Sequence, residues 1–237
     1  MTIALAASDL VAGYGETIVL DGLSFEVPAG GTLGILGRNG VGKTTLLCTL
    51  MGLTTHHRGS VSLNGADITA MPTHERARAG LALVPQERRI FPSLSVHENL
   101  LVSVQPGGWS VEAIYELFPG LAARRSNAGN QLSGGEQQML AVARALTGAP
   151  KVLLLDEPME GLAPVIVDAL FDALAKIRDE GNMTIILVEQ KVDLALEFVS
   201  NCIVLDRGRI VYADTSAALR ADEDAQHRLL GVGTDMH

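Results

Sequence analysis

"KVLLLDE" at residues 151–157 and "MTIILVE" at 183–189 hold scarcely a polar residue between their ends. A strand with one wet face alternates apolar and polar residues, so segments this uniform must be covered on both faces. "GTLGILG" (31–37), "LALVP" (81–85) and "NCIVLDRG" (201–208) have the same character. Helical patterns at 43–51, 134–147, 164–179 and 190–199 lie between these runs and supply crossovers, which predicts a largely parallel sheet between helical layers. The first thirty residues instead alternate and turn. "GSVSLNGADI" (59–68) does the same, with Asn64-Gly65 as a hairpin signal, so an antiparallel β subdomain is expected there. From about 87 to 148 the pattern is helical with no clear strand.

Composition narrows the class. The chain has 237 residues, 47% hydrophobic and 4% aromatic, with a formal charge of −9. That describes an aliphatic globular protein without a basic face for nucleic acid. Cys48 and Cys202 have no metal or redox spacing, and the six histidines form no metal cluster; His56-His57 falls in a polar connection. No apolar run reaches the roughly 18 residues that span a bilayer, and no basic-then-apolar leader opens the chain. A soluble, cytoplasmic protein is expected.

The chemistry begins at "GRNGVGKTT" (37–45), between a strand and a helix. Gly37, Gly40, Gly42, Lys43 and Thr44 satisfy the phosphate-loop pattern. The backbone of Gly37, Arg38, Asn39, Gly40, Val41, Gly42, Lys43, Thr44 and Thr45 would wrap a polyphosphate. Lys43 would reach the β- and γ-phosphates, and the Thr44 hydroxyl would ligate Mg²⁺. At the end of "KVLLLDEP", Asp156 can hold Mg²⁺ through water and Glu157 is placed to polarise an attacking water. The chain lacks the Asn-Lys-x-Asp guanine reader, which favours ATP. "LSGGEQQ" (132–138) opens a helix with Ser133, Gly134 and Gly135, and so offers a second anion site. Ser133 as a helix cap accounts for the serine but not for the second glycine.

The phosphate loop, "LSGGEQQ" and "LLLDEP", in that order and with Gln86 after the strand at 81–85, resemble the ATP-binding cassette of ABC transporters over nearly the whole chain. The resemblance implies one domain over 1–237 of α/β class. A phosphate-loop NTPase core with a mostly parallel sheet and the antiparallel β subdomain would span about 1–86 and 149–237, and an inserted helical subdomain about 87–148. It also implies a head-to-tail dimer in which Ser133, Gly134 and Gly135 grip ATP held by the partner's phosphate loop. Tyr14 would stack on adenine. Gln86 would sense Mg²⁺ and the membrane subunit, and Glu87–Asn99 would receive the permease.

Two positions depart from the general pattern. Gln190 in "LVEQK" stands where the family usually has a histidine, and Glu160-Gly161-Leu162-Ala163 replaces Ser-Ala-Leu-Asp. With "ERRIFPSLSVHENLLV", "YELFPGL" and "EGLAP", these resemble the smaller ATPase of branched-chain or hydrophobic amino-acid importers. That resemblance implies a second ATPase subunit (identical or paralogous), two permease subunits, an extracytoplasmic binding protein acting indirectly, and a place on the inner face of the membrane. Glu157 and Gln190 would be the catalytic pair, with slow intrinsic hydrolysis because Gln190 carries no charge. An exporter ATPase or a non-transport ABC ATPase are the alternatives.

Overall fold

The computed structural model describes residues 2–231. In chain order it contains β1 (Ile3–Tyr14), β2 (Thr17–Pro28), β3 (Thr32–Leu36), α1 (Lys43–Leu50), β4 (Thr55–Leu63), β5 (Ala66–Asp67), α2 (Thr73–Arg78) and β6 (Leu81–Val84). There follow α3 (Val96–Leu101), α4 (Val111–Leu117), α5 (Pro119–Ala123), α6 (Gly134–Thr147) and β7 (Val152–Asp156). The last part holds α7 (Pro164–Asp179), β8 (Thr184–Val188), α8 (Val192–Phe198), β9 (Asn201–Asp206), β10 (Arg209–Thr215), α9 (Ser216–Ala221) and α10 (Glu223–Leu230). The fold is α/β, as the apolar runs predict.

The strands form two sheets. One is antiparallel in the order β2-β1-β4-β5, and the other has six strands in the order β10-β9-β3-β8-β7-β6. In the larger sheet β9, β3, β8, β7 and β6 run parallel, and β10 closes one edge antiparallel to β9. The uniform runs are now explained. Leu153, Leu155, Ile185 and Leu187 pack into a core with the helices α3 to α8, while Val152, Leu154, Ile186 and Val188 pack with α1 and the antiparallel sheet. Alternate residues enter opposite cores, so neither set can be polar. Asn64 and Gly65 take φ of 50° and 80°, the paired positive values that a tight hairpin requires.

Several elements escape the sequence reading. The run 201–208 does not continue as strand to its end: Arg207 and Gly208 turn at φ 46° and 74°, and the chain returns as β10. Helices α2, α9 and α10 are short and lack a long apolar period. The Arg207–Gly208 turn also supports the phosphate loop. The Gly208 N–H donates to the Val41 carbonyl at 2.9 Å, and the Gly208 carbonyl accepts from Asp21 N–H at 2.9 Å.

A side chain at Gly208 would be strained twice over. Its φ is positive, and a Cβ there would lie 1.9 Å from the Val19 carbonyl oxygen. Gly208→Ala is therefore expected to lower the unfolding free energy by about 2–4 kcal/mol, read by chemical denaturation. Stability within about 0.5 kcal/mol of wild type would show that the Val19 backbone moves aside freely.

Candidate functional site

β3 ends at Leu36, and the loop to α1 is shaped by Gly37, Gly40 and Gly42 at φ 141°, 78° and 111°. Gly37 has no alternative, because a Cβ would stand 2.4 Å from the Leu205 carbonyl oxygen of the neighbouring strand. Lys43 is the first residue of α1 and is only 5% exposed. Its ammonium donates to the carbonyls of Gly37 at 2.9 Å and Arg38 at 3.1 Å. The Glu157 Oε1 lies 3.7 Å away. The loop thus folds over its own lysine and leaves the first N–H groups of an eight-residue helix without intrahelical acceptors.

The carboxylates arrive from β7. Asp156 ends the strand, and its Oδ1 accepts from the Thr44 hydroxyl at 3.2 Å. Burial pushes the Asp156 carboxyl up to about 6. Glu157 adds to the rise, whereas the Thr44 hydrogen bond and Lys43 oppose it. Glu157 takes φ 46°, uncommon for a residue with a side chain. That bend directs its carboxylate into the cleft beside Lys43, and its N–H donates to the Val188 carbonyl at 2.9 Å.

β8 ends next to β7. Beyond it, the Gln190 amide donates to Glu157 Oε2 at 2.6 Å. Gln190 does not cap α8: the N-cap is Lys191, which makes no side-chain capping bond. The Gln86 amide, beyond β6, donates to Glu160.

One cleft of about 330 Å³ is bounded by Val19, Asn39, Gly40, Gly42, Lys43, Thr44, Thr45, Gln86, Glu157, Glu160 and Gln190; Asp156, 3% exposed and bonded to Thr44, is not among its lining residues. Gly37 and Arg38 line an adjoining hollow that also reaches Gln190. Val41 is buried in the core beneath the loop. Tyr14, 51% exposed at the end of β1, is not among the residues bounding the cleft.

Ser133, Gly134 and Gly135 also stand apart from it, at the start of α6. Ser133 Oγ accepts from Glu136 N–H at 3.3 Å and Glu136 Oε2 accepts from Ser133 N–H at 2.8 Å, a complete capping box. The second glycine has a packing reason as well: a Cβ on Gly135 would meet Ile166 Cγ2 at 2.6 Å. Ser133 and Gly134 are exposed.

Sequence reasoning missed Glu160 and Glu189. Both sit at strand-end loops, and Glu189 follows an apolar run just as Asp156 closes one. Their partners lie 74 and 30 residues away in the chain.

A glycine-rich loop over a buried lysine, a polar side chain beyond the adjacent parallel strand β8 and an Asp-Glu pair ending the next strand, β7, make the arrangement of a phosphate-loop nucleotide site. Residues 20–160 match the ABC transporter family. The chain is 40% identical over 227 residues to the high-affinity branched-chain amino acid transport ATP-binding protein BraG of Pseudomonas aeruginosa, covering 92% of this chain and 95% of that one. It is 38% identical over 228 residues to the probable branched-chain amino acid transport ATP-binding protein LivF of Archaeoglobus fulgidus, covering 94% and 97%. Among solved structures, a nucleotide-free ATP-binding cassette from an ABC transporter superposes with a TM-score of 0.83 at 24% identity, covering 98% and 100% of the two chains. A dimeric post-hydrolysis state of the cassette MJ0796 bound to ADP and Pi gives 0.78 at 25% identity, covering 90% and 98%. The chain belongs to the ABC transporter family and is an ATPase.

The raised Asp156 carboxyl has a consequence for stability. The folded chain holds that proton more tightly than the unfolded chain does, so stability contributed by the protonated form is lost as pH rises from about 4 to about 6. Asp156→Asn keeps an acceptor for Thr44 and removes the charge. It is expected to raise the Tm of the nucleotide-free chain at about pH 7.5 and to leave it unchanged below about pH 4. Thermal scans across that range check it, and a lower Tm at neutral pH would contradict it.

Proposed function

We propose that this ATPase energises an importer of branched-chain or other hydrophobic amino acids, or similar small solutes, from the inner face of the membrane. The observation that carries the reading is the near end-to-end likeness to BraG and LivF, joined to the amide of Gln190 at the end of β8, bonded to Glu157. Among the described residues no helix is long and apolar enough to cross a membrane, so passage of the solute would fall to two permease subunits. An extracytoplasmic binding protein would deliver the solute to them.

In this reading ATP enters the cleft with its phosphates on the loop Gly37–Thr45, and Lys43 turns from Glu157 to the β- and γ-phosphates. Tyr14, exposed at the end of β1, stacks on adenine in this reading. Thr44 and Asp156, hard oxygen donors already in contact, together with Gln86, fit a Mg²⁺ ion completed by phosphate oxygens and water. Mg²⁺ held there would neutralise charge on the β- and γ-oxygens. Glu157 is the general base for the attacking water, and Gln190 orients it and donates toward the γ-phosphate.

The dimeric state of the MJ0796 cassette supports pairing with a second ATPase, the same or paralogous. In this reading the pairing is head-to-tail, and exposed Ser133 and Gly134, with buried Gly135 beside them, reach the partner's ATP. The helical segment 87–148 would act as a subdomain that relays the motion. A groove of about 730 Å³ lies between 77–83, 103–106 and 141–151. Arg144 on its wall donates to the Arg89 carbonyl at 2.6 Å and lies over the Phe91 ring. Arg144 thereby joins the groove to Glu87–Asn99 as one surface for the permease.

Two variants separate the halves of the composite site. Glu157→Gln should lose at least about 100-fold in kcat, retain ATP and accumulate as a dimer with Mg²⁺ on a sizing column. Ser133→Arg should bind ATP as the wild-type monomer does and fail to close or hydrolyse. Loss of monomer ATP binding in Ser133→Arg would place Ser133 in its own chain's site and sink the in-trans assignment.

Gln190→Ala removes the amide next to the base. A drop in kcat of about 10-fold is expected, with nucleotide affinity little changed. Hydrolysis at the wild-type rate would show that Gln190 has no part in the reaction.

A further inference from the structure

One buried carboxyl group is left over by this mechanism. Glu189 is 3% exposed, and among the described residues no lysine, arginine or histidine forms an ion pair with it. Its carboxylate is instead held by backbone. Oε1 accepts from Met159 N–H at 3.1 Å, while Oε2 accepts from Gln190 N–H at 3.0 Å and more weakly from Lys191 N–H at 3.4 Å. Burial raises its pKa, and these three hydrogen bonds oppose the rise. Its two oxygens together accept from all three donors. A smaller polar residue would leave buried N–H groups unpaired.

The three donors lie on both sides of the reacting pair. Met159 is two residues after Glu157, on the loop that continues to Glu160–Ala163. Gln190 and Lys191 belong to the loop that carries the Gln190 amide. Glu157 itself touches that second loop through Gln190 Nε2 at 2.6 Å and the end of β8 through the Val188 carbonyl at 2.9 Å. Glu189 closes the ring from the hollow it lines with Gly37, Arg38, Asn39 and Gln190.

We propose that Glu189 is a positioning residue for hydrolysis, whose buried carboxylate straps the loop after Glu157 to the loop bearing Gln190 and keeps the two side chains in register. The proposal rests on the assignment of Glu157 as base. Glu189 touches no substrate in this scheme; it sets where the base and the amide stand when γ-phosphate and water are between them. A displacement of about 1 Å in such a pair is enough to cost around 100-fold in rate.

The test uses the full chain with Mg²⁺ and ATP, and a non-hydrolysable ATP analogue for affinity. Glu189→Ala should keep the analogue's Kd within about threefold of wild type and lose roughly 30-fold in kcat. Glu189→Gln retains one carbonyl acceptor and should recover to within about tenfold. Combined with Glu157→Gln, Glu189→Ala should slow the residual reaction by less than about threefold, because both changes disable the same base.

Three results overturn the proposal: wild-type kcat in Glu189→Ala, a Kd that worsens as much as kcat falls, or the same 30-fold loss in the Glu157→Gln background. If Glu189→Ala fails to fold, Glu189→Gln decides alone. A several-fold loss of kcat at unchanged Kd supports the strap, and full activity refutes it. Full activity in the single Glu157→Gln variant would instead remove the base assignment, an outcome read independently of the Glu189 series.

Discussion

Everything in the cleft depends on the parallel pairing of β3, β8 and β7. Ile35 pairs with Val188, and Val188 pairs in turn with Asp156. That register brings three strands to an end at one level on one edge. The phosphate loop, the Asp156–Glu157 pair and the Glu189–Gln190 pair leave from those ends side by side. A slip of one residue in either pairing would turn the terminal side chains to the opposite face. The slip is prevented because both faces are buried and every residue of Val152–Leu155 and Ile185–Val188 has its own place in one of the two cores.

The polar groups of the site satisfy one another. Lys43 leans on two carbonyls and faces Glu157; Thr44 bonds Asp156, Gln190 bonds Glu157, and Gln86 bonds Glu160. Buried polar atoms that lack partners are expensive, and these mutual bonds avoid that cost. Asp156 shows where the pairing is incomplete. Its carboxyl is held up to about 6 because burial and Glu157 outweigh what Thr44 and Lys43 return. Neighbouring carboxylates beside a hydroxyl oxygen are an environment that a hard dication relieves.

The glycines illustrate how one residue can serve two purposes. Gly135 lies in a motif that the sequence reading explained by anion binding alone, and the fold shows that Ile166 of α7 also requires it. Gly208 closes the apolar run 201–208, yet its N–H supports the phosphate loop at Val41. Both requirements come from backbone or side chains distant in sequence. Close approach of this kind leaves no mark in local composition.

What the sequence determined by itself was local and periodic. The doubly covered sheet followed from unbroken apolar runs, the hairpin from Asn64-Gly65, the phosphate loop from glycines at fixed spacing before Lys43, and the α6 start from Ser133 as a cap. Each depends on dihedral preferences or side-chain periods within about ten residues, which order along the chain expresses directly. Tertiary structure alone decided the rest: strand β10 after the Arg207–Gly208 turn, the contact of Thr44 with Asp156 112 residues away, the pairing of Gln86 with Glu160 and the strap at Glu189. Those contacts depend on which strand lies beside which and in what register. That is fixed by packing two cores at once, and no local stretch of the chain contains it.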